Sequence, residues 1–187
     1  YERLRALSEK VKGKNHTDTA SVIANQASVY NRMKNYGEAE KLYIESLAIR
    51  KTSGAETSNI AWSMSMLAGF YSEQKKYKEA ETLYKDALVM YEKLYEQGNM
   101  SIAWALSNLG DLYMKMKQYE NAQTLYEKAA EIRGKHSGPD DISAAWGYYK
   151  LSECFLMQKK YDDALKHCSR FTEIRKEHLG NSHPDVT

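Results

Sequence analysis

The chain has 187 residues, 42% hydrophobic and 28% charged, with 27 basic residues against 25 acidic ones and a formal net charge of +2. Acids and bases are interspersed, which excludes the clustered Lys and Arg of a nucleic-acid binder. No apolar run approaches the roughly 18 residues that a membrane span needs, and no secretory leader opens the sequence, so a cytoplasmic location without membrane insertion is expected.

Residues 1–12 read as the tail of a helix, stopped by Gly13 as a glycine just past a helix end does. Four pairs of helices follow. The first helix of each pair is expected at 17–33, 58–74, 100–116 and 141–157, and the second at 36–52, 77–97, 119–135 and 161–178. Thr17, Thr57 or Ser58, and Asp140 or Asp141 are the expected N-caps, because their side-chain oxygens accept from the orphan amides of a first turn. Gly54, Gly98, Gly138 and Gly180 punctuate the links. Residues 180–186 then repeat the layout of Gly13 to Thr19, so another first helix is expected to begin there. Cys154 and Cys168, with no CxxC, read as reduced thiols.

The pairs are copies of one unit. Asn35-Tyr36-Gly37-Glu38-Ala39-Glu40-Lys41-Leu42-Tyr43 returns as Lys76-Tyr77-Lys78-Glu79-Ala80-Glu81-Thr82-Leu83-Tyr84, then as Gln118-Tyr119-Glu120-Asn121-Ala122-Gln123-Thr124-Leu125-Tyr126, and in part as Lys160-Tyr161-Asp162-Asp163-Ala164-Leu165. The leading tyrosines step by 41, 42 and 42 residues, and a fixed period of that size marks a stacked repeat. The expected divisions are 1–13 as the end of a truncated upstream helix, four repeats at 17–54, 57–97, 100–138 and 140–180, and the start of a further repeat at 181–187. A first residue other than Met and an ending within a motif fit a piece of a longer array.

Helical spacing sorts the faces. In the first helices, the stripes Ile23, Ala27, Tyr30; Met64, Leu67, Ala68, Tyr71; Leu106, Leu109, Gly110, Tyr113; and Tyr148, Leu151, Ser152, Phe155 recur at three and four residues. Ala27, Ala68, Gly110 and Ser152 are the small centres that let a partner helix approach. The second helices answer with Tyr36, Ala39, Tyr43; Tyr77, Ala80, Tyr84, Ala87; Tyr119, Ala122, Tyr126, Ala129; and Tyr161, Ala164, Cys168. Burying one such Tyr or Leu is worth about 1.5–3 kcal/mol, so a lone hairpin lacks the core to stand and must stack.

A small residue, an aromatic three later, an alanine nine after that and an aromatic four later: this pattern resembles the tetratricopeptide repeat. The period of 42, the second helices ending in Ile49-Arg50-Lys51 or Ile132-Arg133, and the linkers Leu179-Gly180-Asn181-Ser182-His183-Pro184-Asp185-Val186 and Gly13-Lys14-Asn15-His16-Thr17-Asp18 resemble the form found in kinesin light chains. Similar 42-residue repeats occur in nephrocystin-type and bacterial sensor proteins. The resemblance implies an all-α, right-handed superhelical solenoid of antiparallel helix pairs, and a cargo adaptor as the parent protein.

Function is expected on the remaining stripe of the first helices. It reads Ser21, Asn25, Ser28, Arg32; Trp62, Met66, Gly69, Glu73; Trp104, Asn108, Asp111, Lys115; and Trp146, Lys150, Glu153, Met157. With the core stripe and two small or apolar flanks (Ala61, Ser65, Phe70; Ala103, Ser107, Leu112; Ala145, Cys154) taken up by packing, this face should line a concave groove that holds a protein or peptide segment. Trp62, Trp104 and Trp146 share one repeat position; each suits either an interface anchor or packing against the next helix. Asn25 and Asn108 stand where the family resemblance implies a backbone clamp, for which an amide that both donates and accepts is suited. Arg32, Lys115 and Lys150 are candidates to meet a carboxylate, or else belong to a solvated face. Met66 and Asp111 complete the candidate set.

Catalysis finds no support. His16, His136, His167, His178 and His183 show no metal-ligand spacing, no glycine-rich phosphate loop is present, and no cofactor is implied. The expected function is therefore a non-catalytic interaction module. A structural or oligomerising scaffold, or a sensor array within a larger signalling protein, is the alternative.

Overall fold

The computed structural model describes residues 2–54, 56–138 and 140–179, the side chain of Leu179 excepted. Among the described residues the secondary structure is nine helices: α1 (Glu2–Lys12), α2 (Thr17–Arg32), α3 (Tyr36–Thr52), α4 (Thr57–Glu73), α5 (Tyr77–Leu94), α6 (Met100–Lys115), α7 (Tyr119–Ser137), α8 (Ile142–Met157) and α9 (Tyr161–Leu179). They fall into two compact units, Tyr1–Leu94 and Tyr95–Thr187. The expected further repeat at 181–187 lies outside the described residues.

Each unit holds two hairpins. In unit 1, α2 packs on α3 and α4 on α5, with α1 against α2; in unit 2, α6 packs on α7 and α8 on α9. Every hairpin turns in the same way. Lys34, Lys75, Lys117 and Lys159 all adopt the left-handed conformation, with φ of 61°, 60°, 59° and 62°. The amide of the next residue donates back to the carbonyl of Tyr30, Tyr71, Tyr113 or Phe155. The lysine amides reach the carbonyls of Asn31, Ser72, Met114 and Leu156. This is the Schellman helix stop, which normally takes glycine. A side chain there costs about 1 kcal/mol.

The small stripe centres work as the spacing predicts. Ala27, Ala68 and Gly110 are buried within their hairpins. At Gly110 the approach admits no methyl: a Cβ would lie 2.6 Å from Cε1 of Tyr126. That ring is almost fully buried. In unit 1 the buried hydroxyl of Ser46 donates to the Ala20 carbonyl at 2.7 Å, so the polar atom between α2 and α3 is satisfied. Lys76 ties the second hairpin to the first, its ammonium 3.1 Å from both carboxylate oxygens of Glu40.

Several local expectations are corrected. His16, rather than Thr17, caps α2, with Nδ1 accepting from the Asp18 amide at 3.1 Å. Glu56 precedes α4 without a side-chain cap bond, so neither Thr57 nor Ser58 is the cap. Asp141 does cap α8, its Oδ1 accepting from the Ser143 amide at 2.7 Å. The leading tyrosines are not core: Tyr36 and Tyr161 are exposed and Tyr77 and Tyr119 half-buried, because the first residue of a helix sits at the rim of its hairpin. Cys168 is likewise exposed and free, while Cys154 is free and buried.

Candidate functional site

The flanks of the first helices are consumed by packing. Ala61, Ser65 and Phe70 on α4, Ala103, Ser107 and Leu112 on α6, and Ala145 and Cys154 on α8 are all buried. Ser65 and Ser107 hide their hydroxyls by donating to the carbonyls of Ala61 and Ala103, four residues back. What remains open on each first helix is the expected stripe.

In unit 1, Asn25 and Arg32 on α2 are exposed, and Trp62 and Met66 on α4 are half-buried. The Trp62 ring lies over the guanidinium of Arg50, 5.0 Å from the ring centre to Cζ. Arg50 comes from the end of α3 and donates to Ser21 Oγ at 2.8 Å and to the Asn59 carbonyl at 2.9 Å. Ser21 and Trp62, the same position in consecutive repeats, are thereby set side by side. Near the other end, the amide of Asn31 donates to Glu73 Oε2 at 2.7 Å, joining α2 to α4. Neither Asn25 nor Arg32 has an intramolecular side-chain bond among the described residues.

In unit 2, Trp104 and Trp146 are exposed, by 38% and 47%. Trp146 stacks on Tyr149 with ring centres 5.2 Å apart. Lys150 Nζ stands 5.2 Å above the Trp146 ring. That ammonium meets Asp111 Oδ1 on α6 at 3.0 Å and Glu153 Oε2 at 3.7 Å. The Tyr149 hydroxyl donates to Glu153 Oε1 at 2.8 Å. Asn108 is half-buried and makes no side-chain hydrogen bond among the described residues. Lys115 is exposed.

The floor beneath the stripe has a feature that sequence reasoning missed. Tyrosines of the second helices pass through the hairpin core and bring their hydroxyls up beneath one stripe position. The Tyr43 hydroxyl comes up beside Ser28. A Cβ on Gly69 would sit 3.3 Å from the Tyr84 hydroxyl. Tyr126 donates to Asp111 Oδ1 at 2.6 Å. The residues at that position, Ser, Gly and Asp, are therefore what a phenol underneath accommodates. Burial, and then the Asp111 charge, push the Tyr126 hydroxyl far above the usual tyrosine range, so it remains a donor. In the fourth repeat Cys168 replaces the tyrosine, and Glu153 takes its hydrogen bond from Tyr149 instead.

Buried arginines are a second such feature. Arg50 and Arg133 hold the same place at the ends of α3 and α7 and are 4% and 7% exposed. Arg133 donates to Ser107 Oγ at 3.0 Å, within its own hairpin. Burial lowers the pKa of both from the ordinary arginine value. The signal is present in the sequence as Ile49-Arg50, Ile132-Arg133 and Ile174-Arg175 at matching positions.

The other titratable candidates are absorbed by the core. His167 is sandwiched by Phe155 and Tyr148, at 5.2 and 5.9 Å, and burial lowers its pKa. Cys154 donates to the Tyr119 carbonyl at 3.2 Å, and burial raises its thiol pKa, so the reactive thiolate is disfavoured. Among the described residues no group of His, Cys, Asp and Glu could hold a metal ion, and no helix is long and apolar enough to cross a membrane.

The tetratricopeptide repeat model matches residues 1–51, 18–93 and 101–177. No curated protein matches the chain. Among solved structures, BtubC (BKLC) from P. vanneervenii is 25% identical, with a TM-score of 0.77 over 90% of this chain and 68% of that one. A protein from Podosopora anserina, described as a kinesin light chain with nearly identical TPR-like repeats, is 18% identical, with a TM-score of 0.76 over 95% of this chain and 85% of that one. The apo form of RapI is 19% identical, with a TM-score of 0.76; the match takes in 95% of this chain but 62% of RapI.

Proposed function

Because the chain belongs to the tetratricopeptide repeat family, whose fold serves protein interaction, we propose that each unit holds an extended peptide or protein segment along the exposed stripe of its first helices. The observation that carries this reading is the pair of amide side chains, Asn25 and Asn108, left without intramolecular bonds at equivalent positions of α2 and α6. Asn25 is exposed and the amide atoms of the half-buried Asn108 are not sealed from water, so both can take a partner from solution. An amide that donates and accepts can pair with any peptide bond, whatever the side chains beside it. The tryptophans supply the apolar contact: each is partly open, so each retains a face for a ligand to cover. The likeness in fold to the Podosopora anserina kinesin light chain favours a cargo-adaptor role.

A second reading rests on a different observation. The α8–α9 hairpin exposes a cleft of about 410 Å³ lined by Leu156, Tyr161, Ala164, Leu165 and Cys168, among others. An apolar cleft of this kind suits stacking of a further repeat, and hence a scaffold.

Titration of a random peptide library, followed by its selected members, against intrinsic tryptophan fluorescence separates the two. Groove docking perturbs the emission at stoichiometric peptide. A scaffold leaves emission flat and shows concentration-dependent light scattering, an outcome that overturns the groove reading.

A further inference from the structure

Arg50 is a buried cation with no carboxylate paired to it among the described residues. Its guanidinium donates Nη1–H to the Asn59 carbonyl and Nη2–H to Ser21 Oγ, and its Nε finds no partner. A charge taken out of water with no opposite charge beside it destabilises a fold, and an apolar side chain of equal length would fill the space. Its contacts are not those of a core filler. They are made at the base of the exposed stripe: Ser21 on α2, the first turn of α4, and the underside of Trp62 at 5.0 Å. The same repeat position is Tyr91 on α5 and Arg133 on α7, and Arg133 turns to Ala103 and Ser107 within its own hairpin. Arg50 instead bridges two repeats and touches a stripe tryptophan while doing so.

We propose that Arg50 is a positioning residue for peptide docking: it ties the stripe of α2 to that of α4 and holds the Trp62 ring in place between them. This rests on the groove reading above. A guanidinium serves this purpose where an ammonium does not, because its planar fork donates in two directions while its face stacks on an aromatic ring. A ring held in advance loses less freedom when a peptide covers it, so affinity rises without any contact between Arg50 and the peptide.

The chain has three tryptophans, so the W104F/W146F background leaves Trp62 as the sole indole reporter. In that background Arg50→Met, Arg50→Lys and Ser21→Ala are compared by fluorescence anisotropy and by acrylamide quenching, and in the otherwise wild-type chain by calorimetric affinity for a peptide selected on it. Arg50→Met is expected to lower the anisotropy, to raise quenching about twofold and to weaken the peptide about tenfold, with helix content by circular dichroism retained. Arg50→Lys keeps a cation but loses the fork and recovers part of the effect; Ser21→Ala removes one tie and loosens the ring less. Unchanged anisotropy and quenching in both Arg50→Met and Ser21→Ala overturn the proposal, and should Arg50→Met not fold, Ser21→Ala decides alone. A looser Trp62 with undiminished affinity breaks the link to docking. If Trp62→Ala also leaves the affinity intact, it is the groove reading that has failed.

Discussion

In unit 1 the stripe leaves Asn25 and Arg32 exposed and unbonded among the described residues, with Trp62 propped on Arg50. In unit 2 the equivalent stripe spends its charges internally: Lys150 meets Asp111 and Glu153, Asp111 also accepts from Tyr126, and Glu153 from Tyr149. One set of repeat positions thus carries two chemistries. A ligand carboxylate near Arg32 faces an open cation, whereas one near Lys150 must compete with Asp111 at 3.0 Å. Unit 2 offers aromatic surface and the Asn108 amide; unit 1 offers an amide and a cation. The lesson is that a repeated backbone supplies repeated positions, and that the pairing of each side chain decides which positions can bind.

The sharpest way to break this contrast is at its foundation. Tyr126→Ala removes an almost fully buried ring and the Asp111 hydrogen bond, and should cost unit 2 about 3–5 kcal/mol, read as a fall in the urea midpoint. Gly110→Ala drives a methyl against the same ring and should cost about 1–3 kcal/mol. Gly37→Ala on α3 meets open space and should instead stabilise by about 0.5–1 kcal/mol. Equal effects at these two glycines would contradict the packing described for unit 2.

The network itself is tested by Lys150→Met, which should destabilise unit 2 by about 1 kcal/mol, the pair being partly exposed. Arg32→Met, with no partner among the described residues to lose, should leave the melting temperature unchanged. Each left-handed lysine gives a smaller gain: Lys159→Gly should raise stability by up to about 1 kcal/mol by relieving the strain at φ 62°.

Unit 2 should also carry a pH dependence of its own. His167 packs between Phe155 and Tyr148 on α8; Lys166 adds to its lowered pKa, while Asp163 and Glu127 oppose the shift. A histidine with a depressed folded pKa is held neutral by the fold. Its contribution is complete above the ordinary value of 6.5 and is lost as pH falls from there through the lowered folded pKa. The urea midpoint should therefore drop as the pH is taken below 6.5, and His167→Phe should flatten that part of the profile.

Much of this architecture is legible in the residues. The period, the eight paired helices and the small stripe centres follow from spacing alone, because a helix that must bury one face writes that face at three and four residues. The expected helix ends at Arg32, Thr52 and Met157 or their neighbours agree closely with the structure. Lys34 and its counterparts are not legible as helix stops, since lysine is no turn former and only the hairpin geometry forces its φ. The α2 cap lies one residue earlier than the hydroxyl of Thr17 suggests, because an imidazole nitrogen accepts as a hydroxyl would. The bond between Lys150 and Asp111 is hidden for another reason: residues so far apart in sequence meet only once α8 has settled on α7, and periodicity on one helix cannot report that. Arg50 is visible as a recurring residue, but its direction is not.

The central claim is that the unbonded amides clamp a peptide backbone. Isothermal titration calorimetry of a peptide selected on the wild-type chain, repeated with Asn108→Ala and Asn25→Ala, measures it most directly. The account predicts about a tenfold weakening for each variant that the peptide spans, with an unchanged melting temperature. Full wild-type affinity in both variants, from a peptide that still quenches the tryptophans, would contradict it.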